Sequence, residues 1–446
     1  MRIAPALAVI GLVALFGAPA HAFEIKQVTS PGGITAWLVE DHTLPIVSMQ
    51  LGFIGGSAND PPDKPGLANF TFDLLDEGAG ALDATAFKGR LEDLAASYDL
   101  SVDNDLLNVS LRTLSANFGP ALDLVHSSLT EPTFSDQAVA RVRGQLVASL
   151  ERAAHEPHSI ANRLWWNQEM PGHPYGVPGR GTPGSVARIT SDDLRGFVRG
   201  RLAKDVLLIG VVGDITAQEL APLLDKTFGA LPAHAAPSAV IEAAPRVTPE
   251  LLLATLPIPQ SVVVFGQPGI KRADPDWYAA YLVMHVLGGG GLTSRLSLEV
   301  REKRGLAYNV YAGLEPLLHG GVIQGGVATE NARVGESIDL IRAEWRRMRD
   351  QGPNAAELAA AKTYLTGSFP LGLDSTLRVA ELLVIMQRDH LGLDYLSRRN
   401  ALINGVSVAD ARRVARKLLD PDALIFTVVG APENLKGARA VEPTGG

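Results

Sequence analysis

The chain has 446 residues, no cysteine and a formal net charge of -8 spread without long runs of one sign. The missing thiols exclude disulfide staples, thiolate metal sites and a cysteine nucleophile, and the absence of a clustered basic patch argues against a nucleic-acid partner. A chain of this length can build several ordinary hydrophobic cores, about three domains by length alone.

Arg2, the apolar run Ala4 to Phe16 and then Ala20-His21-Ala22 have the form of a secretory signal, with cleavage expected after Ala22. The apolar run is shorter than the about 20 residues that span a bilayer comfortably. The composition and the signal predict a periplasmic protein, with secretion as the alternative and no stable membrane insertion. Ile34 to Glu40 and Val47 to Phe53 read as strands. Pro65 to Glu77 reads as a helix, with proline in its first turn and Gly78 after its end. Ala86 to Tyr98 reads as a second helix, Leu106 to Leu114 alternates as a strand, and Asn117 to Leu129 and Asp136 to Ala154 are further helices. Val206 to Gly213 is a continuous apolar run, the pattern of a buried central strand. Leu231 to Glu250 holds four prolines without periodicity and reads as a linker.

Beyond the linker the pattern begins again. Ser261 to Gly266 repeats Met49 to Phe53, and Trp277 to Leu287 repeats the helix around Leu67 to Leu75. Gly320 to Thr329 repeats the strand ending at Thr113, Ile338 to Ile341 echoes Leu122 to Val125, and Phe426 to Gly430 echoes Ile209 to Gly213. The offset stays near about 210 to 220 positions, one domain length, so the chain is a tandem duplication. The expected fold is α+β: each half carries a mostly antiparallel sheet with helices on one face, and the halves form a clamshell. The expected divisions are a signal peptide 1–22, an N-terminal domain 23–230, a linker 231–250 and a C-terminal domain 251–446.

Pro65 to Asp73, Gly172-His173-Pro174-Tyr175-Gly176, Ile189 to Leu194 and Val211 to Asp214 resemble, in order and spacing, segments of the pitrilysin/insulinase family of zinc peptidases. Gly288 to Arg295 and Arg301 to Tyr308 are similar to that family's second half. The resemblance covers nearly the whole mature chain. Active members carry H-x-x-E-H on the first of these helices, with histidines four apart gripping zinc and the glutamate taking a proton from zinc-bound water. A further glutamate, roughly three-quarters of a hundred residues on, completes their site. This chain has Asn69, Phe72 and Asp73 at the helix positions, and Ser149 at the distant one, with the inert Ala148 beside it. Asn69 offers a neutral carbonyl, Ser149 is a poor zinc ligand, and Phe72 cannot accept a proton; Asp73 could still ligate a cation, but without a general base beside it. No metal is expected in this chain, and no autonomous peptidase activity.

The second half keeps what the first has lost. Active relatives have an arginine and a tyrosine seven residues apart that reach the zinc site, and Arg301 and Tyr308 match that pair. The resemblance implies that Arg301 donates to a substrate carbonyl and Tyr308 to the developing oxyanion. Arg304 and Tyr311 are the nearest rivals; on a regular strand Tyr311 would face away from Tyr308. Gly288-Gly289-Gly290-Gly291 lacks the Gly-Lys-Ser/Thr of a phosphate loop. It is read as a flexible lead into a helix starting near Thr293, and by resemblance as a substrate contact. His155, His158 and His173 are expected in loops, because Pro157 interrupts any helix that would align imidazoles, and Trp165-Trp166 is expected in the core.

The resulting expectation is a non-catalytic subunit of a heterodimeric periplasmic zinc peptidase. It would pair with an H-x-x-E-H-bearing sister subunit that holds the zinc, and would help to bind a peptide substrate. The alternative is an inert structural or peptide-binding scaffold of the same fold. An independent hydrolase of other chemistry has no support, since no G-x-S-x-G or other ordered nucleophile set is present.

Overall fold

A computed structural model describes residues 24–433 and 435–443; the expected signal peptide, residues 1–22, lies outside them. The first sheet contains β1 (Lys26–Thr29), β2 (Thr35–Glu40), β3 (Ile46–Ile54), β4 (Ser97–Val102), β5 (Leu106–Leu114) and β6 (Leu207–Gly213), in the order β1-β2-β6-β3-β5-β4. The second contains β7 (Glu250–Thr255), β8 (Gln260–Pro268), β9 (Ala307–Leu317), β10 (Gly320–Glu330), β11 (Ile425–Gly430) and β12 (Arg439–Ala440), in the order β9-β10-β8-β11-β7-β12. Read from the other edge, five strands of the second order map onto the first; the sixth does not, since β1, the first strand, lies antiparallel to β2, whereas β12, the last, lies parallel to β7. The pairing is antiparallel except for β2 with β6, β7 with β11, and β7 with β12. The duplication read from sequence is thus a duplication of topology.

Burial follows strand position. β3 and β6 lie inside their sheet and are almost continuously buried, whereas β4 at the edge alternates between exposed and half-buried residues. Two helices differ from the sequence expectation. The helix expected over Pro65 to Glu77 spans only Leu67–Phe72, because Gly66 before it is left-handed (φ 93°) and beyond Asp73 the hydrogen bonds tighten to a three-residue spacing. The helix expected to reach Tyr98 ends at Asp93; Ala95 takes a positive φ of 47° and the chain turns into β4. The segment read as a linker carries no helix or strand until Glu250, which opens β7.

Helices were expected on one face of each sheet, and the structure covers parts of both. Each half extends one helix onto the sheet of the other. The Pro157–Glu169 helix packs on β11 and β8, and the Thr376–Arg388 helix packs on β6 and β3. Matching glycines make room for them. Gly52 on β3 and Gly266 on β8 each occupy the seventh position of a nine-residue strand. A Cβ on Gly52 would lie 2.8 Å from Val384, and one on Gly266 would lie 2.4 Å from Trp165. These close approaches seat the exchanged helices. Hydrogen bonds from Thr427 Oγ1 to Ala161 O (3.0 Å) and from Gln387 Nε2 to Ile209 O (3.0 Å) fix them further. Trp165 is fully buried in the core cluster beneath the first of them, as expected.

A second link joins the halves at the β9–β10 turn. Asp105 accepts from Tyr175 Oη at 2.5 Å and from Leu318 N at 2.8 Å, while Tyr175 Oη accepts from His319 N at 3.1 Å. His173 lies in a loop, as expected, where it caps the Pro174–Gly176 turn; it is buried, its ring tilted against Tyr175 and bonded to Ile241 O and to Tyr175 N. Tyr175→Phe would leave His319 N without its acceptor and remove one donor from Asp105. Urea unfolding should show a loss of about 1–3 kcal/mol; an unchanged midpoint would mean that the link contributes nothing. Among the described residues no helix is long and apolar enough to cross a membrane.

Candidate functional site

Two of the four altered zinc-site positions, Phe72 and Asp73, line one cleft of about 420 Å³ in the first half. Phe72, Asp73, Asp76, Glu77, Gln145 and Arg180 are among its lining residues. Phe72 is only 1% exposed and belongs to the main core of this half. A phenyl ring therefore packs where a general base would have to meet water. Asn69 turns away to donate from Nδ2 to Gly179 O at 2.8 Å. Ser149, on the Asp136–Ala153 helix, accepts from Arg180 Nη1 at 3.4 Å. Asp73 opens onto the cleft. Burial of its surroundings pushes its carboxyl above the ordinary range, and the Arg180 charge opposes that push. Deeper in, Glu77 is buried and paired with Lys88 at 2.6 Å and with Arg141.

This donor set does not fit zinc. One amide is engaged elsewhere, one position is a hydrocarbon, the one carboxylate lies in the field of a guanidinium, and the hydroxyl is already bonded. Among the described residues no group of three or more His, Asp or Glu side chains could hold a metal ion.

Tyr308 lines a separate cleft of about 480 Å³, together with Asn309, Tyr311, Gln260, Glu330 and His158 of the first half, among others; Arg301 and Gly288 to Gly291 do not line it. It shares no lining residue with the first cleft. Arg301 lies on a wide helical turn, Ser297–Glu302, and Tyr308 on β9. The guanidinium carbon of Arg301 is 4.9 Å from the centre of the Tyr308 ring, a cation–π pair that brings the two side chains together. Tyr308 is 85% exposed.

Tyr311 does not face away from Tyr308. The β9–β10 pairing slips between Ala307 and Val310, and this bulge re-aims the strand so that Tyr308, Asn309 and Tyr311 all open to the same cleft. Strict alternation from Tyr308 could not have shown this; the slip is a property of the pairing with β10. Arg304 is held by Glu299 at 2.6 Å. His158 lies in the first turn of the Pro157–Glu169 helix, not in a loop: Glu156 caps that turn and Pro157 fits a position that needs no N–H. His155 precedes it.

Gly288 to Gly291 lead, through a short turn at Gly291–Thr293, into a helical segment that begins at Arg295, but the first two of them are already helical. Gly288 and Gly289 end a wide helical turn, His285–Gly289, and a Cβ on Gly288 would lie 2.5 Å from Ala312 N. Close packing against β9 explains that glycine. Gly289 and Gly291 are exposed, and Gly291 has a positive φ of 56°.

Comparison with known proteins places these features. Residues 36–178 match the model of insulinase, peptidase family M16, and residues 188–365 match that of the peptidase M16 inactive domain. A Helicobacter pylori protein described as a non-peptidase homolog is 27% identical over 338 residues, 74% of this chain and 77% of its own length. A Streptomyces coelicolor protein described as an uncharacterized zinc protease is 26% identical over 411 residues, 89% of this chain and 87% of its own length. The crystal structure of a peptidase M16 inactive domain from Pseudomonas fluorescens superposes with a TM-score of 0.86 at 28% identity, covering 94% of this chain and all of that one.

Proposed function

Since the chain belongs to the M16, or insulinase, family of peptidases, we propose that it is a non-catalytic member. In this reading it completes the active site of a partner chain that carries H-x-x-E-H and the zinc. One contrast carries the proposal. The first half keeps one carboxylate, Asp73, among its zinc-site positions and has neither a histidine nor a general base there, while the second brings Arg301 and Tyr308 together, with Tyr308 on an open cleft. Tyr308 hides little of its ring, so packing does not account for it, whereas a hydroxyl aimed at a developing oxyanion does.

Two further observations support a second chain and a peptide. The exchanged helices brace the two halves of this chain against each other, so closure over a substrate falls to a partner, and the clamshell is one formed between chains. Among the described residues the β4 strand pairs only with β5, and its other edge runs beside the altered cleft, which suits an extended peptide adding as a strand. The exposed Gly289 and Gly291 are proposed as peptide contacts. The chain is proposed to act in the periplasm, exported by its signal peptide, with zinc only in the partner.

The test is reconstitution. The purified chain alone should cleave no peptide; mixed with an H-x-x-E-H homologue encoded beside it, it should give chelator-sensitive cleavage. Tyr308→Phe should slow turnover about 10²-fold with the pair intact on a sizing column. Full activity of a mixture carrying Arg301→Ala and Tyr308→Phe would refute the catalytic contribution and leave the inert scaffold.

A further inference from the structure

We propose that the Gly179–Arg180 segment fills the altered zinc site, with the Arg180 guanidinium as its resident cation, and that the former ligand positions now serve to hold this segment. Two of the four positions bond to two adjacent residues of one loop, and a third shares a cleft with them. Asn69 Nδ2 donates to Gly179 O at 2.8 Å. Ser149 Oγ accepts from Arg180 Nη1 at 3.4 Å. Asp73 lines the same cleft as Arg180. The fourth position, Phe72, closes the floor as part of the core.

The backbone shows that this loop is docked rather than merely near. Gly181 has a φ of +75°, and a Cβ there would lie 2.3 Å from Pro65 O, at the start of the Leu67–Phe72 helix. A Cβ on Gly179 would lie 2.6 Å from Ser57 Oγ. Ser185 Oγ donates to Pro65 O at 2.7 Å, and Gly181 N donates to Pro178 O at 2.8 Å. The chemistry of the altered positions matches the occupant. An amide N–H suits a backbone carbonyl, and a hydroxyl and a carboxylate suit a guanidinium. A divalent ion entering the cleft would meet a fixed positive charge beside a single carboxylate. Arg180 is exposed, so solvent screens that repulsion and its effect on metal affinity should be about tenfold rather than absolute.

Two chains with a restored ligand set test the exclusion. Both carry Asn69→His, Phe72→Glu, Asp73→His and Ser149→Glu; one keeps Arg180 and the other has Arg180→Ala. Zinc affinity, measured by competition with a chelator of known affinity, should be at least about tenfold tighter without Arg180. Equal affinities would overturn the exclusion. Because the fourfold variant is heavily altered, the clamp is tested separately in the otherwise natural chain. Asn69→Ala and Ser149→Ala should each raise amide exchange at residues 179–181 by about fivefold, the equivalent of one ordinary hydrogen bond, with protection unchanged elsewhere. Unaltered exchange at 179–181 would overturn the clamp.

Discussion

Trp165→Ala should destabilise the chain by about 3–5 kcal/mol and should separate the unfolding of its two halves. Trp165 is fully buried, on a helix that belongs to the first half by sequence and packs on the second sheet by position. Its indole faces Gly266, whose missing side chain makes the space it fills. Around it lie Ile160, Ala161 and Met170 from the first half, and Val264, Ile425 and Val429 from the second. Truncation leaves a cavity that Gly266 cannot refill, and the rigid strands on one side limit collapse. Denaturant titration followed by two probes should show the loss: one transition in the natural chain, two in the variant. A loss under about 1 kcal/mol with a single transition would mean that the exchanged helix does not hold the halves together. Gly266→Ala is the complementary change and should act in the same direction, because its methyl would also meet Ile323 O at 2.2 Å.

The helix exchange marks where sequence reasoning stopped. The repeat was legible because burial imposes the same apolar spacing on both halves, so Met49 to Phe53 and Ser261 to Gly266 resemble each other without any knowledge of their partners. Which sheet a helix covers is decided by tertiary contacts between distant segments, and no local period encodes it. The paired Gly52 and Gly266 were the available signal: a glycine inside an apolar strand points to a close approach, though not to what approaches. The site shows the same division. Asn69, Phe72, Asp73 and Ser149 could be placed because helix spacing and the family's motif fix their positions. Arg180 could not, since it reaches the cleft from a loop with no ligand spacing of its own. Tyr308 was identified by its distance from Arg301, while Tyr311 was misplaced because a bulge depends on pairing. The β4 strand was missed because Ala86 to Tyr98 keeps a helical pattern past the point where Ala95 turns the chain.

Glu169→Gln should flatten the pH dependence of stability. Glu169 lies one helical turn beyond Trp165, is fully buried, and neither carboxyl oxygen has a hydrogen-bond partner among the described residues. The side chain of the nearby Arg246 turns to Glu250 instead, at 3.8 Å, while its backbone N–H donates to Glu169 O. Burial alone pushes the Glu169 carboxyl up to about 8. The sign follows from linkage. As pH rises, the unfolded chain gives up this proton near its ordinary value of about 4.3, whereas the folded chain keeps it until about 8. The stability that this group contributes is therefore greatest in acid, falls between those values, and levels off above the second. The slope is about 1.4 kcal/mol per pH unit, which sums to about 3–5 kcal/mol across the window. Glutamine keeps the shape and never ionises, so the variant should match the natural chain near pH 4.5 and exceed it by several kcal/mol at pH 8.5. Other buried carboxyls contribute to the natural pH profile, notably Asp60, also pushed up by burial, to about 7. The difference between the two proteins removes them from the comparison. Parallel stability curves for Glu169→Gln and the natural chain from pH 5 to pH 8.5 would show that folding does not bury this carboxyl in its neutral form, and that the packing of the two halves around the exchanged helix is looser than the fold implies.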